Sequence, residues 1–419
     1  MENKETLLKV ENLCQYFKIG PGNELRAVDN VSFDIKKGEV FGLVGESGCG
    51  KTTTGRSVIR LYDITSGSVY FKGQRICAGT RAYKNAIKEA KKEFDAKAAE
   101  VKSVGEEKSR EELSRLEKEY LDTVRELNEK IKSARYDHKN CNKLYAEEQV
   151  KKIEAEYAER IAAQTDENAI KALLKEKKEK ISLAKKDRIM NSMQMIFQDP
   201  IASLNPRMTV REIIAEGLLI RKIKDEKYID EQVYRVLDLV GLVKEHAGRY
   251  PHEFSGGQRQ RIGIARAIIL NPDLIIADEP ISALDVSIQA QVINLLNDLR
   301  KQLGLTILFI AHDLSVVKYF SDRIGVMYYG KMVELATSDE LFAHPLHPYT
   351  KSLLSAIPLP DPDYEKDRKR IIYNPLAEHD YTVDKPTMRE ILPGHFILCN
   401  DAEFEKYKAE IAENDKVKE

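Results

Sequence analysis

Eight consecutive residues carry the clearest chemical signal in this sequence, and they match the phosphate-binding pattern GxxxxGK[ST]. They are Gly45, Glu46, Ser47, Gly48, Cys49, Gly50, Lys51 and Thr52, and Thr53 follows them. Glycines let the backbone curl so that successive N–H groups point at phosphate oxygens, and a helix starting near Lys51 adds its positive end. We expect Lys51 to reach the β- and γ-phosphates of a nucleotide and the Thr52 hydroxyl to bind Mg²⁺.

Two adjacent carboxylates follow an apolar stretch much later in the chain. Asp278 and Glu279 end the sequence LIIADE, which is typical of a buried strand. If that strand ends beside the phosphate loop, Asp278 would hold Mg²⁺ through water, and Glu279 would polarise the water that attacks the γ-phosphate. Paired acids after an apolar strand are common, so this pair taken alone is equally consistent with a structural role.

A third segment places the pair in a known series of motifs. Phe254, Ser255, Gly256, Gly257 and Gln258 resemble the signature LSGGQ of the ABC (ATP-binding cassette) family, with Phe in place of the first Leu. The serine hydroxyl, the glycine N–H groups and the start of the following helix would form a second phosphate cradle. The resemblance implies that this cradle, Ser255 to Gln258, serves the ATP held by the opposite subunit of a pair.

Other positions match the same family in its order along the chain. Gln198 in MQMIFQDP matches the Q-loop glutamine, which contacts Mg²⁺ or the attacking water. The segment SALD, ending at Asp285, resembles the D-loop, and His312 after TILFIA matches the switch histidine that contacts the γ-phosphate and orders Glu279. Either Phe17 or its neighbour Tyr16 could stack on adenine as the family's N-terminal aromatic does, or could simply pack in the core.

The resemblance therefore implies an ATPase with ATP and Mg²⁺ as cofactors. Its catalytic residues would be Lys51, Gln198, Glu279 and His312, and its metal ligands would be Thr52, Gln198 and Asp278.

Strand-like and helical stretches alternate around these motifs. LLKVENL, VSFDIKKG, EVFGLVG and GSVYFKG read as strands before residue 78, and MQMIFQ, LIIADE, TILFIAH and RIGVMYY as strands after 190. That alternation predicts an α/β fold with a parallel sheet covered by helices. The resemblance implies an ABC cassette with a RecA-like core, an antiparallel β subdomain and a helical subdomain. We expect cassette parts at 1–78 and 190–340, a helical insert at 79–189, and an extension at 341–419 that is loose and frays at its end.

The insert, here called the arm (residues 79–189), differs sharply in composition. Nearly half of it is Lys, Arg, Asp or Glu, and no proline occurs between Pro21 and Pro200. Apolar residues recur at heptad-like steps, at Leu113, Leu116, Tyr120, Leu127, Ile131 and Ala134. The pattern predicts one antiparallel helical hairpin or a pair of them, with breaks at Gly105, at Asn140–Asn142 and at Thr165–Asp166. Its role stays open between a docking arm for a partner and an inert elaboration of a surface loop.

Composition limits where such a chain can act. The 419 residues are 42% hydrophobic and 32% charged with a net charge of −1, which gives no electrostatic case for binding nucleic acid or an anionic membrane. No apolar run approaches a membrane span, and the N-terminus lacks a signal peptide core. The five cysteines form no CxxC pair. We expect a soluble chain at the cytoplasmic face of the membrane, acting through partner proteins.

Three longer stretches resemble one branch of the family, the ATP-binding subunits of oligopeptide and dipeptide permeases. They are FQDPIASLNPRMTV, FSGGQRQRIGIARAIILNPDLIIADEPISALDVSIQAQV and HPLHPYTKSLLSAIPLPDP, and the closing REILPGHFIL resembles the OppF/AmiF type. The resemblance implies import of peptides with a second ATPase subunit, two permease subunits and, indirectly, an extracellular binding protein. Nickel or sugar import stays open as an alternative. An iron–sulfur cluster, which some relatives hold in this tail, is not expected, because Cys399 stands alone there.

DNA-repair ATPases of the SMC type also thread a coiled coil through an ABC head. The arm here is far shorter, has no CxxC hook, has no strong basic bias, and enters before the Q-loop strand rather than after it. These differences make that class the weaker alternative.

Overall fold

The computed structural model describes residues 5–102, 106–357 and 370–418. The chain divides into two compact units that alternate along it. The first comprises Met1–Leu7, Asp34–Ile59 and Asn191–Glu419, and the second comprises Leu8–Phe33 and Arg60–Met190.

The strands in chain order are β1 (Thr6–Gly20), β2 (Asn23–Lys36), β3 (Val40–Val44), β4 (Ser66–Phe71), β5 (Gln74–Ala78), β6 (Met193–Ile196), β7 (Leu274–Asp278), β8 (Thr306–Ile310), β9 (Arg323–Tyr328), β10 (Lys331–Thr337), β11 (Thr387–Leu392) and β12 (His395–Cys399).

The helices are α1 (Lys51–Val58), α2 (Arg81–Lys102), α3 (Glu106–Ala162), α4 (Glu167–Ala184), α5 (Pro200–Ser203), α6 (Val210–Ile220), α7 (Glu226–Leu239), α8 (Gly256–Ile268), α9 (Val286–Leu303), α10 (Leu314–Phe320), α11 (Ser338–Ala343), α12 (Pro348–Ser355), α13 (Pro375–Glu378) and α14 (Asp401–Lys418). Short 3₁₀ turns cover Ile189–Ser192, Lys244–Gly248 and Pro251–Glu253.

The first unit is built on a mixed sheet with the strand order β11-β12-β10-β9-β3-β8-β7-β6. The five strands from β9 to β6 are parallel, and the three at the other edge are antiparallel. Every residue of β3, β7 and β8 is buried, which explains their continuous apolar sequences, since a central parallel strand is covered on both faces. The predicted α/β fold class is confirmed, and its parallel strands deliver their carboxyl ends to one edge.

The second unit combines an antiparallel sheet, with the order β2-β1-β4-β5, and the three helices of the arm. Strand β4 pairs antiparallel with both β1 and β5. Helices α2 and α4 each pack against the long helix α3, which in turn packs against β5. Of the two predicted arrangements, one hairpin or a pair of them, the structure has the pair, because α2 and α4 each pack against α3.

Helix α3 contradicts one predicted break. Its 57 residues run without interruption through Asn140–Asn142 and span about 85 Å at 1.5 Å per residue. Here the helix lies on the sheet: Gln74 donates to the Cys141 carbonyl over 2.7 Å, and Arg75 pairs with Asp137 over 2.6 Å. These tertiary contacts outweigh the weak helix propensity of Asn and Cys. The predicted break at Thr165–Asp166 is confirmed, since Asp166 caps α4, and Gly105 lies outside the described residues.

The predicted looseness of the extension is wrong for most of its described part. Strands β11 and β12 join the main sheet through β10, and α14 continues to Lys418, although its end was expected to fray. Strand β12 is only five residues long and forms a hairpin with β11, and it joins the main sheet by pairing with β10, about sixty residues earlier. No local pattern indicates this second pairing. Pro345 precedes α12 and Pro348 is its first residue, while Pro358, Pro360 and Pro362 lie outside the described residues.

A buried ion pair ties this extension to the sheet. The Glu334 carboxylate on β10 is 2.9 Å from His395 Nε2 on β12, and both residues are almost fully buried. Glu334 also accepts the backbone N–H groups of Leu346 and His347, at 2.8 and 3.1 Å. Burial opposes a charge on His395, but the hydrogen bond and the negative charge of Glu334 outweigh it and raise the pKa of this histidine.

Because the pKa of His395 is raised in the folded state, the contribution of His395 to the free energy of unfolding falls as the pH rises. A histidine whose pKa is higher in the folded state contributes stability that is complete below about pH 6.5, its unfolded value, and that is lost as the pH rises through the folded pKa. We therefore expect the destabilisation caused by His395→Gln to be largest near pH 6 and smaller near pH 9. Thermal unfolding midpoints across this range measure it, with the exposed His252→Gln as control. A pH-independent difference would contradict the assigned charge.

Candidate functional site

The phosphate loop (residues 45–52) leaves the carboxyl end of β3 and enters α1. Gly45, Gly48 and Gly50 have φ angles of +148°, +82° and +105°, which L residues adopt only under strain. A Cβ at Gly45 would also lie 2.2 Å from the Met327 carbonyl oxygen at the end of β9. The glycine spacing of the motif is therefore required by backbone conformation and, at Gly45, by contact with the neighbouring strand.

Lys51 begins α1 and is buried inside this loop. Its ammonium group donates to the carbonyl oxygens of Gly45 and Glu46, at 2.7 and 2.9 Å. The thiol of Cys49 lies 3.9 Å from the same nitrogen, and burial raises the pKa of this thiol, so it remains uncharged. The loop thus holds a positive charge close to backbone N–H groups, which is the arrangement that binds phosphate.

Asp278, the last residue of β7, is joined to the loop by a hydrogen bond. The Thr52 hydroxyl donates to Asp278 Oδ1 over 2.7 Å, and the carboxylate is fully buried. Burial raises the pKa of Asp278, although the Thr52 hydrogen bond and the charges of Arg56 and Lys51 oppose the rise. Asp278 Oδ2 accepts no hydrogen bond from any described residue, and Arg56 Nη2 is 3.8 Å from it.

Glu279 occupies an uncommon backbone conformation at the next position. Its φ is +45°, and its N–H donates over 2.9 Å to the Ile310 carbonyl at the end of β8. Its carbonyl accepts the Ser282 hydroxyl over 3.1 Å. These two bonds sustain a left-handed conformation in a non-glycine residue, as is common for residues held in place at functional sites.

The Glu279 carboxylate meets two of the other predicted residues. Gln198 Nε2 donates to Glu279 Oε2 over 2.8 Å, and His312 Nδ1 lies 3.4 Å from the same oxygen. Gln198 follows β6 and His312 follows β8, so the parallel sheet delivers both beside the end of β7. Both side chains are exposed while Glu279 is mostly buried, so the group opens to solvent on one side.

The predicted signature residues form the start of α8. Ser255 accepts the Gln258 N–H, and the Gln258 side chain accepts the Ser255 N–H, which makes a capping box. A Cβ at Gly257 would lie 2.6 Å from the Ile288 Cγ2 methyl of α9, so a larger residue there would require Ile288 to shift. Ser255 and Gly256 are exposed, as is Asp285 at the start of α9.

The structure does not bring every predicted residue to one place. Among the described residues, no hydrogen bond or ion pair joins Ser255–Gln258 to the phosphate loop. Phe17 lies on β1, and its ring packs edge-to-face on Tyr62 with centroids 5.3 Å apart. The neighbouring Tyr16 donates to Asp29 over 2.5 Å, and its ring contacts the guanidinium groups of Arg26 and Arg81. Tyr16 thus has a hydrogen bond and two cation contacts, whereas the Phe17 ring has, among the described residues, only the edge contact with Tyr62, so we take Phe17 as the candidate.

Two residues near the site were not predicted. Arg56 on α1 approaches the buried Asp278, and Tyr349 on α12 contacts the phosphate loop through its hydroxyl. The position of Arg56, one helical turn beyond Thr52, could have indicated the first residue. No local pattern could have indicated the second, because Tyr349 lies 303 residues from its partner Glu46.

This arrangement of loop, acids, glutamine and histidine at the ends of parallel strands defines a nucleotide-hydrolysing cassette. A family model described as "ABC transporter" matches residues 28–190 and 161–282, and one described as "Oligopeptide/dipeptide transporter, C-terminal region" matches 333–382. The chain belongs to the ABC transporter family, and it is an ATPase of that family.

Individual relatives match over nearly the whole chain. The oligopeptide transport ATP-binding protein OppF of Bacillus subtilis is 48% identical over 404 residues, which cover 96% of this chain and 99% of the relative. The oligopeptide transport ATP-binding protein AmiF of Streptococcus pneumoniae is 42% identical, with 96% and 98% covered. Among solved structures, cbiO1 of Clostridium perfringens aligns with a TM-score of 0.49 at 20% identity, covering 81% of this chain and 92% of that one.

No helix among the described residues has the length and apolar character to cross a membrane.

The glycines of the loop provide a matched pair of substitutions. Gly45→Ala adds a Cβ against the Met327 carbonyl, whereas Gly48→Ala adds one into open space, and both strain the backbone. We expect Gly48→Ala to lower the free energy of unfolding by about 1–2 kcal/mol and Gly45→Ala by about 1–3 kcal/mol more. Urea unfolding of the two variants measures the difference. Equal losses would contradict the close packing of Gly45 on β9.

Proposed function

We propose that this chain is the ATP-hydrolysing subunit of an ABC importer that energises the uptake of oligopeptides or dipeptides. The observation that carries the hydrolytic part is the convergence of Gln198 and His312 on the Glu279 carboxylate, next to the Asp278–Thr52 hydrogen bond. The peptide-transport part is supported by the relatives' names and by the match at 333–382.

In this proposal the phosphate loop binds the triphosphate of ATP. Residues Gly45 to Thr53 surround the phosphates, with N–H groups other than that of Glu46 as donors, and Lys51 neutralises the β- and γ-phosphates. Lys51 has three N–H groups, so it can bind phosphate while still donating to a loop carbonyl. By resemblance to the family's N-terminal aromatic, Phe17 is assigned to the adenine ring, because an aromatic face stacks on any planar base.

The donor set beside the loop fits Mg²⁺. The Thr52 hydroxyl, the Asp278 carboxylate and the Gln198 amide oxygen are hard oxygen ligands of the kind that Mg²⁺ prefers. Asp278 Oδ2 is buried and accepts no hydrogen bond from any described residue, which leaves it free to receive one from metal-bound water. The bound ion would neutralise charge on the phosphates, while this chain's residues set its position.

Hydrolysis then needs one oriented water molecule. Glu279 accepts a hydrogen bond from the water, whose oxygen attacks the γ-phosphorus as the bond to the bridging oxygen of ADP breaks. Gln198 and His312 hold the carboxylate of Glu279 through the contacts already described. The transition state requires positioned charges and an ordered water rather than a covalent intermediate, and this group of residues supplies both.

The exposed signature residues are assigned to a partner's ATP. Ser255 to Gln258 form a capped helix start whose first two residues, Ser255 and Gly256, are exposed, and a helix N-terminus attracts phosphate. In a head-to-tail pair each ATP would lie between one subunit's phosphate loop and the other's signature, with Asp285 near the contact. We propose that the partner is a second, different ATPase subunit, and that the pair works at the cytoplasmic face under two permease subunits, which receive peptides from an extracellular binding protein.

Replacing the proposed water-positioning residue separates binding from turnover. We expect Glu279→Gln to retain ATP affinity and to lower kcat by about 100- to 10,000-fold, because an amide polarises water poorly. The variant pair should also stay closed around unhydrolysed ATP. Steady-state ATPase assays with nucleotide-binding titrations measure both effects. A variant with normal turnover would refute the role of Glu279.

Two hypotheses remain for the arm: it docks a partner protein, or it is an elaboration of a surface loop without a function. Its attachment to β5 by Arg75–Asp137 and Gln74–Cys141 holds α3 against the antiparallel sheet, and a docking element needs such a firm attachment. We expect a chain with residues 80–188 replaced by a short linker to retain ATP binding, because every residue assigned to the phosphates lies outside the arm. Peptide uptake in cells separates the interpretations: it falls if the arm docks a partner and is unchanged if it does not.

A further inference from the structure

The hydroxyl of Tyr349 makes a contact that the mechanism above does not use. Tyr349 lies on α12 in the C-terminal region, and its ring is only 2% exposed. The backbone N–H of Glu46, the second residue of the phosphate loop, donates to this hydroxyl over 3.0 Å. A residue more than 300 positions away thus holds the start of the loop.

The peptide group involved is the one that also contacts Lys51. The N–H of Glu46 and the carbonyl of Gly45 belong to one rigid plane, and in a trans peptide they point in opposite directions. The Gly45 carbonyl accepts the Lys51 ammonium over 2.7 Å. Tyr349 and Lys51 therefore bind the two ends of the same plane, and rotation of that plane would break both bonds.

Tyr349 is itself fixed by its surroundings. Its backbone N–H donates to His347 Nδ1 over 3.1 Å, which caps α12. Burial lowers the pKa of His347 to about 3, so the ring is neutral and its nitrogen can accept this bond. The backbone N–H of His347 is held in turn by Glu334 of β10, over 3.1 Å.

The ring of Tyr349 packs against the end of strand β9. Its centroid is 4.4 Å from that of Tyr328, the last residue of β9, and 5.5 Å from that of Tyr373. Strand β9 pairs with β3, which leads directly into the phosphate loop. The hydroxyl is thereby anchored to the same sheet as the loop that it contacts.

We propose that Tyr349 is a positioning residue for Lys51, which it acts on through the Gly45–Glu46 peptide. This inference rests on the proposed role of Lys51 in binding ATP. The hydroxyl keeps the Gly45 carbonyl aimed at the ammonium group, so that Lys51 is already in place when the phosphates arrive. The C-terminal region thereby contributes directly to nucleotide affinity.

A double-mutant cycle on the full chain tests this coupling. We expect Tyr349→Phe, which keeps the ring and loses one hydrogen bond, to weaken binding of fluorescent N-methylanthraniloyl-ATP about three- to tenfold. In a Lys51→Ala background the same substitution should change affinity by less than about twofold, because the residue it positions is gone. The matched control is Tyr373→Phe, whose ring belongs to the same cluster and which should leave affinity unchanged.

Each alternative outcome is informative. Unchanged affinity in Tyr349→Phe, or an equal loss in both backgrounds, would overturn the positioning role while leaving the proposed function intact. Unchanged affinity in Lys51→Ala alone would overturn the proposed role of Lys51 and this inference with it. The thermal unfolding midpoints of Tyr349→Phe and Tyr373→Phe should both lie well above the assay temperature, so that neither change in affinity can come from unfolding.

Discussion

The hydrogen bond from the Thr52 hydroxyl to Asp278 connects the two halves of the candidate site. It joins the helix after β3 to the end of β7, although β8 lies between these strands in the sheet. Helix α1 can reach that far because it packs closely on the strands: a Cβ at Gly55 would lie 2.8 Å from Ile310 and 3.1 Å from Ile276. Parallel pairing is the underlying constraint, because it alone brings the ends of β6, β7 and β8 to the same edge as the loop.

The residues at this edge differ in how firmly they are held. Asp278 is buried, and Glu279 is kept in a left-handed conformation by backbone bonds, whereas Gln198 and His312 are exposed and reach Glu279 only through their side chains. Asp278 and Glu279 are therefore held in place before a ligand binds. Gln198 and His312 can change position, and in our proposal they do so when ATP and a partner subunit bind.

The extension after residue 341 is better understood as part of this scaffold than as a tail. Its strands complete the edge of the sheet, its buried Glu334–His395 pair holds the segment before α12, and Tyr349 reaches the phosphate loop. Burying an ion pair stabilises a fold only when its remaining hydrogen bonds are satisfied. Here Glu334 also receives two backbone N–H groups, so one carboxylate orders the sheet edge and the connection to α12 together.

The sequence by itself determined the features of this protein that depend on residues close together in the chain. Glycine spacing marked the phosphate loop, apolar runs marked β3, β7 and β8, and the heptad-like pattern marked the arm, because backbone conformation and burial of a continuous strand or helix face depend on neighbours in sequence. The order of the motifs identified the family. Tertiary structure decided what depends on distant partners: the unbroken α3 at Asn140–Asn142, the pairing of β12 with β10, the meeting of Gln198 and His312 on Glu279, and the contact of Tyr349 with Glu46. In each of these cases the energy comes from a contact between segments far apart in the chain, and no pattern within either segment records it.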